Sequence, residues 1–176
     1  LGVTVAHDEI LPEPQYADLR HEPDPGGVRA ADRERLGLLG RLAASLCLIE
    51  IYSHAPDSAE FRACLGKHIA FWQQRGRKPR GRRPRGREAA AGLAEPFLWI
   101  VAAGTPVGLL ARLRLVPAPE WPPGVYFFGE DVLRVGIIAA SELPREPSTL
   151  LVRLMAAGPL LPQVLAELRE LPVSAP

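Results

Sequence analysis

Two acidic side chains and one lysine stand where packing alone would not put charge. Glu50 lies inside the apolar run Cys47-Leu48-Ile49-Glu50-Ile51-Tyr52, and Lys67 lies in the helix-patterned segment that follows. Asp18 is the one acid of Gln15-Tyr16-Ala17-Asp18-Leu19-Arg20. Carboxylates on neighbouring strands can hold a divalent cation through oxygen ligands. Such an ion polarises a phosphodiester and lowers the pKa of bound water, while a nearby lysine orients that water or takes its proton. Lysine is scarce: Lys67 and Lys78 stand against nineteen arginines. Arginine serves wherever a fixed cation is enough, whereas lysine can lose its proton. On spacing alone Asp18 reads first as a solvated residue of an alternating strand. Glu50 reads equally as a residue where its strand emerges, or as the partner of an arginine.

Other constellations are weaker. Cys47, His54, Cys64 and His68 can be written as a zinc set, but Cys64 and His68 fall on an apolar helix stripe, where core residues are the ordinary explanation. A Cys-His nucleophile has no orienting third group. Neither a phosphate-cradling GxxxxGK[ST] nor GxGxxG, HExxH or GxSxG occurs. The tract Arg75, Arg77, Lys78, Arg80, Arg82, Arg83, Arg85, Arg87 can follow a nucleic-acid backbone through its phosphates. Lacking interleaved aromatics, it implies no base stacking, and a solvated low-complexity insertion accounts for it equally well.

The elements that must position Glu50 and Lys67 are a strand and a helix. Residues 47–52 are β-branched and aliphatic, as in a strand buried on both faces. Asp57 after Pro56 can cap a helix, with Glu60 completing a capping box. Phe61, Cys64, Leu65, His68, Ile69 and Trp72 then form one apolar stripe, with Lys67 at its edge. Upstream, residues 3–7 and 15–20 read as strands, and residues 31–44 as a helix making a parallel connection to the Cys47 strand. Arg75 to Gly92 reads as a disordered or extended loop. Downstream come a buried strand at residues 97–101, a short helix at 106–115, and a rigid linker at 117–124. Strands at 125–128 and 132–138 are joined as a hairpin at Gly129-Glu130-Asp131. A helix at 150–157, capped by Ser148 or Thr149 and stopped by Gly158-Pro159, precedes a last one at 162–171. The expected architecture is a single α/β domain, a central mixed sheet flanked by helices, parallel in the middle and antiparallel toward an edge.

Composition bounds the rest. The 176 residues are 47% hydrophobic, enough to bury a core. The net charge of +1 hides an asymmetry: taking the tract's eight cations from 21 basic residues leaves 13 against 20 acidic ones. No apolar run is long enough to span a membrane and no secretory signal opens at Leu1, so no membrane partner is expected. The first residue is not Met, so upstream residues are expected to be missing. The two cysteines read as reduced core residues in a cytoplasmic setting, and the rich use of Arg, Ala, Gly and Pro points to a bacterial source.

The order strand, strand with Asp18, strand with Glu50, helix, strand resembles the PD-(D/E)XK nuclease superfamily. More narrowly, the chain resembles uncharacterised bacterial proteins near the Rpn-type transposase-associated nucleases. The resemblance is carried by YADLRHEPDP (Tyr16 to Pro25), RLGLLGRLA (Arg35 to Ala43), LCLIEIYSHAPDSAEFRACLGKHIAFW (Leu46 to Trp72) and LRVGIIAASELPREPSTLLVRLMAAG (Leu133 to Gly158). It implies a restriction-endonuclease-like fold and Mg²⁺-dependent hydrolysis of DNA phosphodiesters, with Asp18 and Glu50 as metal ligands. Ala17 replaces the proline usual before the Asp, and Tyr52 stands where the catalytic lysine is usual, two residues after the Glu. Some members take that lysine from the following helix, where Lys67 stands. The rival implied by the same resemblance is a catalytically inactive relative acting as a nucleic-acid-binding or protein-interaction module.

Overall fold

The computed structural model describes residues 16–23, 30–76 and 95–170. Among the described residues five strands form one mixed sheet: β1 (Leu19–His21), β2 (Cys47–Tyr52), β3 (Phe97–Ala102), β4 (Val125–Phe128) and β5 (Val135–Ala139). Their spatial order is β1-β2-β3-β5-β4. β2, β3 and β5 run parallel, while β1 and β4 flank them antiparallel. All six β3 residues are buried, as expected where helices cover both faces of parallel strands. The described residues contain no helix long and apolar enough to cross a membrane.

Two helical layers cover the sheet. On one face α3 (Ser58–Gly76) and α4 (Val107–Leu113) pack Phe61, Cys64, Leu109 and Leu110 against Leu48, Leu98, Ile100 and Ile137. On the other, α2 (Leu38–Leu42) and α5 (Pro147–Ala156) bring Leu38, Leu42, Val152 and Ala156 onto Cys47, Ile49, Trp99, Val101 and Ile138. Trp99 lies over Gly136, where an added Cβ would come within 2.1 Å of the indole. Trp121 and Phe127 complete that aromatic cluster, with ring centroids 5.4 and 5.8 Å from Trp99. A final helix, α6 (Leu161–Glu170), packs on α5.

The start of α3 follows its sequence signature. Asp57 Oδ1 accepts from the N–H groups of Ala59 and Glu60 at 2.7 and 2.9 Å, and Glu60 Oε2 accepts from Asp57 N–H at 2.8 Å. That reciprocal capping box fixes the helix phase. The helix runs to Gly76, a turn beyond the end of the apolar stripe, and Ile69 lies half-open at the stripe's edge.

Other boundaries differ from the sequence reading. The helix expected over residues 31–44 is two, α1 (Ala30–Arg35) and α2, broken at Gly37. Gly37 has φ +55°, and a Cβ there would come within 2.2 Å of the Ser148 carbonyl oxygen, so close approach to α5 breaks the helix. The connection joins antiparallel strands and makes no parallel crossover. β1 starts at Leu19, leaving Asp18 in the bend before it, and β5 starts at Val135. Residues 129–134 form a longer turn, in which the Gly129 carbonyl accepts from Val132, Leu133 and Arg134 N–H. Neither Ser148 nor Thr149 caps α5: Glu146 is its N-cap, and the Thr149 hydroxyl donates back to the Pro144 carbonyl at 2.5 Å. The strand expected at residues 3–7 lies outside the described residues.

Candidate functional site

The even-numbered residues of β2 face α3. Glu50 is 2% exposed there, and Lys67 Nζ donates to its Oε2 at 2.6 Å. The second carboxylate oxygen, Oε1, is buried without a hydrogen-bond partner among the described residues. Asp18 sits one step beyond the Leu19–Ile49 pair, exposed, and its Oδ2 accepts from Ile51 N–H at 2.7 Å. One edge of the site is therefore open to water at Asp18, while the other is closed by α3.

Electrostatics couple the three groups. Burial pushes the Glu50 carboxyl above its ordinary range; the Lys67 hydrogen bond and charge oppose this, and the Asp18 charge adds to it. For Lys67, burial works to lower the ammonium's pKa, but the Glu50 hydrogen bond and charge outweigh it and the net direction is up. Lys67 is thus held as a cation.

Tyr52 lies on the same face, two residues after Glu50. Its hydroxyl is 3.2 Å from Cys64 Sγ, and burial followed by this contact raises its pKa. Glu50 to Lys67 and Tyr52 to Cys64 clip β2 to α3 at two points. Because Cys64 and Lys67 are one helical turn apart, their side chains fall on neighbouring parts of the helix surface.

The zinc quartet is not assembled. Cys47 and Cys64 belong to the cores on opposite faces of the sheet. His54 Nε2 pairs with Glu60 at 2.9 Å, and His68 Nε2 bonds the Leu133 carbonyl at 2.8 Å. Among the described residues no three of His, Cys, Asp and Glu gather as a metal-ligand group.

Of the basic tract only Arg75 is described; Arg77, Lys78, Arg80, Arg82, Arg83, Arg85 and Arg87 lie outside the described residues. Arg75, in the last turn of α3, reaches Glu22 at 3.5 Å. Sequence reading missed Arg20, Glu22 and Phe71, which join it there. The signal was available in the spacing, since Lys67, Phe71 and Arg75 recur every four residues along α3.

A cleft of about 370 Å³ opens elsewhere, at the carboxyl ends of β2 and β3, lined by Pro56, Asp57, Ser58, Thr105, Pro106 and Arg112 among others. None of Asp18, Glu50 and Lys67 lines it. No protein-family model, curated protein or solved structure matches the chain.

Proposed function

We propose that this chain is a Mg²⁺-dependent nuclease of the PD-(D/E)XK type, restriction-endonuclease-like in fold, that hydrolyses DNA phosphodiester bonds. The observation that carries the reading is Glu50: a carboxylate 2% exposed, shared with Lys67 on one oxygen and, among the described residues, unpartnered on the other, beside the open Asp18. A buried carboxylate oxygen without a donor is costly unless a cation or donor fills its coordination. The sequence of pairings agrees with the reading: β1 antiparallel to β2, then α3 and a parallel β3.

The residues fit a hard cation. Mg²⁺ is held by one or two carboxylates and keeps several waters, which suits the pair Asp18 and Glu50. Bound there, the ion would polarise the phosphodiester and lower the pKa of water. Lys67, kept protonated by Glu50, positions the attacking water and steadies negative charge as it develops, a role that does not need it to act as the base. Burial of Glu50 keeps its oxygens in a medium where the interaction with a cation is strong.

The second reading, a catalytically inactive relative that binds nucleic acid or protein, draws on Tyr52. Its hydroxyl is engaged by Cys64 where the usual pattern has a lysine. Metal binding separates the two. Titration calorimetry with Mn²⁺ should give one saturable site in the wild type, lost in both Asp18→Asn and Glu50→Gln. Equal heats in all three proteins would contradict the assignment.

A further inference from the structure

The sheet beside Asp18 carries a second cluster. Arg20 lies on β1 opposite Leu48, so its side chain shares the α3-facing side of the sheet. Its guanidinium carbon is 5.3 Å from the Phe71 ring centroid, and that of Arg75 is 5.9 Å from it. Glu22 lies between the two arginines, 2.6 Å from Arg20 Nη2 and 3.5 Å from Arg75 Nη1. Lys67, Phe71 and Arg75 recur at i, i+4 and i+8, which places them on one stripe in steps of about 6 Å along the helix. The stripe therefore leads directly away from the Glu50–Lys67 pair.

We infer that Arg20 and Arg75, braced on Phe71, form a phosphate track that takes the nucleic-acid strand flanking the bond held at Asp18 and Glu50; the identity of that strand as substrate rests on the function proposed above. Guanidinium groups match phosphate oxygens in fork geometry, and an aromatic ring beneath them fixes where they point. Glu22 already shows an anion bridging the two arginines. The Arg20 and Glu22 side chains are 53% and 52% exposed, so their ion pair is of the weak, readily exchanged kind, while Arg75, 17% exposed, is the more deeply seated of the two arginines. The Glu22 carboxylate stands where a phosphate would and competes with it.

Opposite effects of neighbouring substitutions test this. A labelled single-stranded oligonucleotide is bound to the full chain in EDTA, which prevents cleavage, over a range of salt. Replacing both arginines, Arg20→Gln with Arg75→Gln, should make the slope of log affinity against log salt shallower by about 1.4, two phosphate contacts at about 0.7 each. Arg20→Lys with Arg75→Lys, which keeps the charge, should retain most of the slope. Glu22→Gln should bind more tightly than wild type. An unchanged slope in the double Gln variant, or weaker binding by Glu22→Gln, overturns the track, as does equal competition by polyglutamate, which would assign the face to acidic proteins. The predicted slopes together with a wild type that never cleaves would support the track while sinking the nuclease reading.

Discussion

At Glu50 two costs oppose each other. Taking a carboxylate out of water disfavours its charge, and the Lys67 ammonium at 2.6 Å opposes that cost. Cutting the pair from the lysine side leaves the carboxylate buried without its cation. Lys67→Met should therefore lower stability at pH 7.5 by about 2–4 kcal/mol, the low side of the range for a broken buried pair because Lys67 retains some exposure. The pH dependence has a definite sign. Burial raises the folded-state pKa of Glu50 above its unfolded value, and loss of Lys67 raises it further. The penalty is full above the folded pKa and relieved as pH falls toward the ordinary carboxylate value. Urea denaturation should show the gap between variant and wild type narrowing from pH 7.5 to pH 5. A gap of equal size at both pH values would mean that Lys67 acts through packing of its stem alone.

The helices make the same kind of bargain away from the site. Arg153, 2% exposed on α5, forms a two-pronged pair with Glu167 of α6 at 2.8 and 2.5 Å. The Arg153 hydrogen bond, helped by Gln163, depresses the Glu167 carboxyl to about 2. A depressed carboxylate contributes stability above its unfolded pKa and loses it as pH falls through the folded one. The wild type should lose stability between about pH 5 and pH 2. Glu167→Gln should be less stable at neutral pH and show a flatter acid limb, read by thermal unfolding across that window. An acid limb unchanged in the variant would place the titration elsewhere. Sequence could not reveal this pair, because its members stand fourteen positions apart with a break between α5 and α6. What sequence does report at this scale is local. The capping box at Asp57 and Glu60 set the start of α3, and the aliphatic run set β2 to the residue. The break at Gly37 escaped because its cause is the distant Ser148 carbonyl.

For the whole molecule, the sheet brings together what the chain separates. Asp18 is set level with Glu50 because β1 pairs antiparallel with β2, and Lys67 reaches Glu50 because α3 lies over that strand. The mixed sheet and its helical layers were legible from the run of buried strands and from the late hairpin. The antiparallel return of β1 was not, since residues 31–44 read as a single helix suited to a crossover. The charged pair was legible as an anomaly, a carboxylate inside an apolar strand; the Arg20, Glu22, Phe71 and Arg75 cluster was not, because it spans a strand and a helix end. The central claim is that Asp18, Glu50 and Lys67 act together on a phosphodiester. Its most direct test is nicking of supercoiled plasmid with Mg²⁺ or Mn²⁺ by wild type, Glu50→Gln and Lys67→Ala, each first shown to be folded. Metal-dependent nicking by the wild type that is lost in both variants is the predicted result, and nicking that survives Glu50→Gln, or none at all from the folded wild type, would contradict it.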